Sequence, residues 1–357
     1  MKEMGHRSLD EPASIAAVDS GGMLSLAGAL GDQLRAGFQA GTGPHELPSG
    51  EGLRSVVICG MGGSGVAGDI LRVLFAPRLP LPIVVCKGSE VPEFCGRDTL
   101  AVAVSFSGDT EETLAAYLDA VARGARVVSI CGGGELASLS AEDQVARVAV
   151  PADIPAPRAA LGYLTGAAIG TLDRMGLVPP AADLIEEACD HLDQVARSLG
   201  PEMPAEVNQA KGLAAWLEGR TPVIWGSEGL AEAAAVRWKT QLNENAKIPA
   251  FHAVIPELDH NEIEGWSGDT VRGYCAVVLR HRGEHPRIAT RISATIDAVS
   301  GSGLELREVQ AAGANPLAVL LSMIMVGDFT STYLAILRGV DPMPVPVLTD
   351  LKTRLRE

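Results

Sequence analysis

Positive charge is scarce in this chain. Twenty-nine Lys and Arg stand against 44 Asp and Glu, giving a formal net charge of −15 and a pI near 4.9. Such a surface repels nucleic acid and anionic membrane, so neither is expected as a partner. An anionic substrate would need positive charge concentrated locally. No C-x-x-C pair occurs among the six cysteines, Cys59, Cys86, Cys95, Cys131, Cys189 and Cys275. They read as small buried apolar residues in a reducing cytosol, not as disulfides or zinc ligands. The N-terminal stretch MKEMGHRSLDEPAS has no apolar h-region, so a cytoplasmic location is expected. The longest apolar run, Asn315 to Gly327 (NPLAVLLSMIMVG), reads as too short and interrupted for a membrane span. Aromatics make up only 4%, while hydrophobic residues reach 47% and Gly and Ala abound. That balance suits closely packed helices on parallel sheets, and 357 residues suit two domains.

What is present is organised around Ser55 to Leu71, SVVICGMGGSGVAGDIL. Val56–Cys59 is a short β-branched run, the pattern of a strand buried on both faces. Gly60, Gly62, Gly63, Ser64 and Gly65 follow, and then a helical pattern from Val66 to Leu74. Strand, glycine turn and helix together aim backbone N–H groups and a helix N-terminus at an anion, and Ser64 adds a hydroxyl. The stretch reads as a phosphate cradle. Gly60, Gly62 and Gly65 also fit G-x-G-x-x-G, but the second strand, Pro82–Cys86, ends in Lys87-Gly88. It lacks the carboxylate that a dinucleotide site places there, so no nicotinamide cofactor is expected.

Further apolar runs at Thr99–Val104, Arg126–Cys131 and Val145–Val150 alternate with helical stretches, which predicts a doubly wound parallel sheet. The third run ends in Ser105-Phe106-Ser107-Gly108-Asp109-Thr110, a second strand–loop–helix junction rich in hydroxyls. Pro151–Pro157 is proline-rich and carries Arg158. Before the first strand lies a lead-in, residues 1–50, with helical periodicity over Leu24–Phe38. Helices are also expected at Leu161–Met175 and Ala182–Ser198. A first α/β domain would span 51–203 and a second 204–357. In the second, Thr221–Glu228 and Leu230–Leu242 repeat the order strand, turn, helix, which reads as an internal duplication. More strands are expected at Ala276–Leu279 and Glu305–Val309, and a short helix at Leu348–Leu355.

Cys59–Gly65 (CGMGGSG) and Ser105–Thr113 (SFSGDTEET), taken in order, resemble the sugar isomerase (SIS) domain. Asn243–Lys247 (NENAK), Pro256–Ile263 (PELDHNEI) and the terminal Leu351-Lys352 narrow the resemblance to the bifunctional phosphoglucose/phosphomannose isomerases, across roughly residues 50 to 357. The resemblance implies two SIS subdomains, no metal or other cofactor, and a homodimer with its sites at the interface. The implied activity is aldose–ketose isomerisation of glucose and mannose 6-phosphates with fructose 6-phosphate through a cis-enediol. It also implies roles. Gly62, Gly63, Ser64, Ser105, Ser107 and Thr110 would bind the sugar phosphate. Glu244 would move the proton between C1 and C2, and His260 would assist ring opening across the interface. Arg158 would face the enediolate, and Lys352 would act near the ring oxygen. Two positions depart from the family pattern. Asp109 replaces the Asn of S-G-N-T, and would need to point away from phosphate or be paired, for example with Lys87. Met343 replaces the Thr of D-P-T-P, which bears on discrimination at C2.

Each of these residues also has an ordinary structural reading. Glu244 alone would be a solvated helix-end residue, but it stands in the polar triplet Asn243-Glu244-Asn245, which apolar packing does not explain. His260 alone would be a surface histidine. His252 is expected to pack or cap. Lys352, in a tail with Arg354 and Arg356, has the look of a solvated helix face. Glu257, Asp259, His260 and Glu262 lack a second histidine at ligand spacing, so they do not read as a metal site. The alternative from another class is a sugar-phosphate-binding SIS protein that senses without turnover. Glu244 and His260 favour chemistry, and no basic DNA-reading helix is evident.

Overall fold

The computed structural model describes residues 8–355. They form two compact units. One contains Ala29–Asp193 and Ala312–Ser322. The other contains the described residues up to Gly28, Gln194–Ala311, and those from Met323 onward.

The chain begins with two short helices, α1 (Pro12–Ala16) and α2 (Met23–Gly28), followed by α3 (Leu30–Gly41). The continuous helix expected over Leu24–Phe38 is therefore broken at Ala29, which sits at φ −80°, ψ 7°. Gly28, a poor helix former, precedes the break. Five strands follow: β1 (Ser55–Cys59), β2 (Ile83–Cys86), β3 (Thr99–Ser105), β4 (Arg126–Cys131) and β5 (Ala146–Ala149). They pair in parallel in the order β2-β1-β3-β4-β5. The connecting helices are α4 (Gly62–Phe75), α5 (Glu111–Ala122) and α6 (Gly134–Glu142); α7 (Leu161–Arg174) and α8 (Ala182–Leu199) come after the sheet. Both β1 and β3 are buried along their whole length, as their unbroken apolar runs require.

The abundant glycine has a specific use here. A Cβ built on Gly37 or Gly41 of α3 would lie 2.3 Å from the carbonyl oxygens of Tyr163 and Ala167 on α7. From the other side, Gly162, Gly166 and Gly170 of α7 would meet the carbonyls of Leu30, Leu34 and Phe38 at 2.7, 2.2 and 2.6 Å. The two helices thus pack backbone to backbone along a glycine stripe, where even alanine is too large.

In the second unit, β6 (Thr221–Ser227), β7 (Phe251–Ile255), β8 (Tyr274–His281) and β9 (Glu305–Ala311) pair in parallel as β7-β6-β8-β9. This repeats the order of the first four strands of the other sheet, so the duplication is one of topology. Its helices are α9 (Gln209–Leu217), α10 (Leu230–Glu244), α11 (Pro286–Val299), α12 (Pro316–Leu337) and α13 (Pro346–Leu355), with α12 beginning in the other unit's segment. His252 lies in β7, exposed on an edge strand, and is not a helix cap.

The apolar run at Asn315 is longer than its composition suggests. The helix continues past Gly327 to Leu337 and is long and apolar enough to cross a membrane. However, 94% of its apolar window is buried inside the chain itself. The interruption at Asp328 is tolerated because Arg237 of α10 holds that carboxylate from two nitrogens, Nε at 3.0 Å and Nη2 at 2.8 Å.

The glycine stripe gives a stability prediction. Gly166→Ala should cost about 1–3 kcal/mol through overpacking. Gly212→Ala on α9, where a Cβ meets nothing within 4 Å, should be neutral or stabilising by up to about 1 kcal/mol. Urea denaturation of both variants checks the contrast.

Candidate active site

The first unit carries the expected cradle, with one adjustment. The helix begins at Gly62 and not at Val66, so the glycines form its first turn. Met61, the N-cap residue, is in extended conformation, φ −111°, ψ 157°, and its side chain makes no cap bond. The first in-register amide is that of Gly65, which donates to Met61 O at 3.1 Å. The amides of Gly62, Gly63 and Ser64 precede it, at the positions a helix leaves orphaned. Partial positive charge gathers there. A Cβ on Gly65 would lie 2.7 Å from Gly60 O, and one on Gly63 would lie 3.3 Å from Arg158 Cα. The loop therefore closes tightly on itself and against the 3₁₀ turn Pro157–Ala160, which puts the Arg158 backbone beside it. Arg158 is itself buried, at 4% exposure.

The β1–β3 ladder brings the second junction alongside, and Ser64 Oγ accepts from Phe106 N–H at 3.4 Å. Ser105 Oγ accepts from Gly108 N–H at 3.1 Å and donates to Thr110 Oγ1 at 3.2 Å. Thr110 is the N-cap residue of α5 but makes no side-chain cap bond. Ser107 is exposed at the loop tip, where its Oγ accepts from Asp109 N–H at 3.2 Å. Gly108 sits at φ 78°, and a Cβ there would lie 1.8 Å from Gly133 O, so only glycine fits. Asp109 does not pair with Lys87. Its Oδ1 accepts from Glu135 N–H in the first turn of α6 at 2.9 Å, a favourable place for a carboxylate. Lys87 instead holds Asp69 of α4 at 2.5 Å.

In the second unit, Glu244 is the last residue of α10 and is half-buried. A helix C-terminus by itself disfavours a carboxylate by roughly 0.3–1 kcal/mol. Several contacts fix the helix end. Asn245 Nδ2 donates to Ser331 Oγ at 3.0 Å, and both residues are fully buried. Asn243 Nδ2 donates to Ile248 O at 2.9 Å. Ile248 N–H closes back on Leu242 O at 3.4 Å, with Lys247 in the left-handed region at φ 55°. That closure is one residue wider than a Schellman motif, with lysine in the left-handed conformation that glycine usually takes. The lysine ammonium donates to the carbonyls of Glu244 and, at 3.4 Å, Asn245, and reaches Pro342 O at 3.2 Å. It offsets negative charge where the carbonyls and Glu244 accumulate it. Sequence reasoning gave no role to Lys247, Ser331, Arg237 or Asp328, whose partners lie far away in the chain.

His260 is exposed at the end of a 3₁₀ turn, Glu257–His260. Its acidic neighbours are all engaged. Asp259 accepts from Thr295 Oγ1 at 2.8 Å and Arg291 Nη1 at 3.2 Å. Glu257 accepts from Asn261 Nδ2 at 3.1 Å, and Glu262 accepts from Trp266 Nε1 at 3.1 Å. These bonds set the turn that presents the imidazole. Among the described residues, no group of three His, Cys, Asp or Glu is placed to hold a metal ion. Lys352 lies on α13, whose described residues are all exposed. In the Asp341–Pro344 segment, Asp341 accepts from Ser20 Oγ and Met343 N–H at 3.0 and 2.9 Å. The Met343 side chain packs against Gly21, where a Cβ would lie 2.9 Å from Met343 Cε.

The chain resembles known proteins over most of its length. Residues 206–355 match the bacterial phospho-glucose isomerase C-terminal SIS domain, and residues 53–159 match the SIS domain. A bifunctional phosphoglucose/phosphomannose isomerase of Caldicellulosiruptor bescii is 37% identical over 330 residues, 92% of this chain and 97% of its own. One from Thermoplasma acidophilum is 34% identical over 303 residues, 84% of this chain and 89% of its own. Among solved structures, a glucose-6-phosphate isomerase like protein from Thermus thermophilus superposes with a TM-score of 0.60 at 25% identity, covering 97% of this chain and 99% of that one. At 37% and 34% identity over most of both chains, the chain belongs to the bifunctional phosphoglucose/phosphomannose isomerase family.

Proposed function

We propose that this protein interconverts glucose 6-phosphate and mannose 6-phosphate with fructose 6-phosphate through a cis-enediol. The observation that carries this reading is the pair of glycine- and hydroxyl-rich junctions held side by side by β1 and β3, with orphan amides at a helix N-terminus. Short hydroxyls and amides satisfy phosphate oxygens without bulk. Gly62, Gly63, Ser64, Ser105, Ser107 and Thr110 take the phosphate. Glu244 removes the proton from the carbon beside the carbonyl and returns it one carbon away. Arg158 faces the enediolate, His260 assists ring opening, and Lys352 acts near the ring oxygen. A carboxylate pinned at a helix C-terminus supports turnover over sensing, because binding alone gives no reason to hold an acid there.

Family membership supports a homodimer with the site at its interface. So does α13, which leaves Val347, Leu348, Leu351 and Leu355 exposed along one helix. A cytoplasmic location fits the six free thiols.

The phosphate assignment predicts that Ser64→Ala combined with Thr110→Ala raises KM for 6-phosphosugars. Each lost charge-assisted bond should cost about 1.5–3 kcal/mol. Steady-state kinetics with fructose 6-phosphate measures this, and an unchanged KM sinks the assignment. Enediol chemistry needs no redox partner, so activity should survive EDTA dialysis and be indifferent to added nicotinamide. Loss of turnover on chelation, restored by a divalent ion, would overturn the metal-free reading. For the base, Glu244→Gln keeps shape and hydrogen bonding but cannot take the proton. The drop in kcat should be about 10²–10⁴ with KM little changed. Washout of deuterium from C2-labelled substrate should fall in parallel. A variant keeping more than roughly a tenth of wild-type kcat lies well outside that range and removes Glu244 from the role.

A further inference from the structure

Cys59 and Cys86 are the last residues of β1 and β2 and are register partners in the parallel ladder. Neighbouring strands lie about 4.7–4.9 Å apart, inside the roughly 4.4–6.8 Å between Cα atoms that a disulfide spans. Register partners point to the same face of a sheet, and both side chains belong to one apolar cluster. Their environments differ. Cys59 is buried at 1% exposure, whereas Cys86 is only partly covered because β2 is the edge strand. Cys86 Sγ lies 3.1 Å from Glu90 O and 3.8 Å from Gly88 O, just past the strand end.

The neighbouring Cys59 thiol holds Cys86 down, to about 6, while the same neighbour and burial push Cys59 up. Burial pushes up the other cysteines: Cys189 to about 11, Cys275 to about 12, and Cys95 and Cys131 in the same direction. The accessible member of the pair is therefore the more acidic one and the one a dissolved oxidant can reach.

We propose that Cys59 and Cys86 form a hydroperoxide-reactive dithiol at the edge of the glycine loop, closing reversibly to a disulfide. Cys86 thiolate attacks a peroxide oxygen. The O–O bond breaks, the departing hydroxide takes from solvent the proton that Cys86 released on ionising and leaves as water, and Cys86 becomes a sulfenic acid. Cys59 sulfur then attacks Cys86 sulfur. The S–S bond forms, the S–O bond breaks, and the departing hydroxide takes the Cys59 proton as water. The two sulfurs give up two electrons and hydrogen peroxide becomes two waters. A small-molecule thiol reverses the bond by exchange.

The closed bond would act on the loop directly. Gly60 follows Cys59, and its N–H already donates to Cys86 O at 3.1 Å. Lys87 follows Cys86 and anchors Asp69 of α4. Tying the strand ends covalently changes the footing of the turn from which the orphan amides project. The oxidised protein should therefore show a higher KM for 6-phosphosugars, an effect that rests on the proposed phosphate site; the bond itself does not.

The test treats the reduced full-length protein with hydrogen peroxide and maps peptides without reduction. The expected result is a linked Cys59–Cys86 peptide pair, lighter by two hydrogens and released by dithiothreitol. Cys86→Ser should abolish it, Cys59→Ala should abolish it, and Cys275→Ser should leave it. Iodoacetamide near pH 7 should label Cys86 at least about tenfold faster than Cys275, as a low, accessible thiol implies. If Cys59→Ala does not fold, the half-exposed Cys86→Ser carries the test alone. Peroxide driving Cys86 to sulfinic acid without a link, linking it to Cys95, or leaving both thiols free would each overturn the proposal. A link formed with KM unchanged would keep the dithiol and remove its effect on the loop.

Discussion

The first unit depends on β1 and β3 being neighbours although β2 separates them in sequence. A parallel sheet that reverses its winding at this point sends the chains leaving β1 and β3 in different directions, and a crevice opens at their carboxyl ends. Two loops that lie far apart in sequence are brought side by side. The glycines follow from that closeness. Gly60 would meet Val104 O at 2.9 Å with a Cβ, and Gly65 would meet Gly60 O, so the turn can be made only by backbone. The second sheet repeats the strand order but not the loop. β6 ends in Gly226-Ser227, Glu228-Gly229 follow, and α10 starts at Leu230. Gly226 is still forced, because its Cβ would lie 2.3 Å from Ala231 O. A carboxylate now stands where the first copy has bare glycine amides, which disfavours an anion. One fold thus carries a glycine-rich helix N-terminus in one copy and an acid at a helix C-terminus in the other.

That acid needs a fixed helix. α10 is tied to α12 by the buried Arg237–Asp328 pair and by Trp238 Nε1, which donates to Met323 O at 2.7 Å. A Cβ on Gly327 would lie 2.5 Å from the Trp238 ring, so the tryptophan seats against backbone. A buried ion pair contributes little net stability, because desolvation offsets its attraction. What it does impose is register: a one-turn slip of α10 would leave a guanidinium and a carboxylate buried apart. Asn245–Ser331 and the Lys247 ammonium carry that register to the last turn, where Glu244 sits.

The βα junctions are legible in the sequence because they are local. A β-branched run, a glycine turn and an amphipathic stretch announce themselves within about 20 residues. So does Glu244, as an acid in a polar triplet. β7 is not legible: as a five-residue edge strand with Phe251 and His252 exposed, it shows no continuous apolar run. α12 reads shorter than it is because Asp328 and three hydroxyl residues, Thr330–Thr332, break the apolar pattern. They are nonetheless buried, with Ser331 and Thr332 hydroxyls donating to Asp328 O within the helix. α11 carries a helical pattern in its sequence, since Ile288, Ile292, Thr295 and Val299 form a buried stripe behind Pro286. Side-chain partners at long range, such as Asn245 with Ser331, leave no trace in local pattern.

The two departures from the family pattern find their explanation in the same kind of long-range partner. Asp109 would burden a phosphate loop by repulsion if it faced the bound anion. It is turned onto the first turn of α6, where helix amides attract a carboxylate, and its Cγ would lie 2.9 Å from a Cβ on Gly134. An asparagine there could accept the same bond from Glu135 N–H, so the exchange alters charge without removing the contact that shapes the loop. Met343 loses a threonine hydroxyl, but its side chain is seated on Gly21, and its segment is held through Asp341 and the Lys247 bond to Pro342 O. The carbonyl that Lys247 grips belongs to backbone, which a side-chain change at 343 leaves in place. The anchorage of the Glu244 helix end is therefore independent of the side chain at 343.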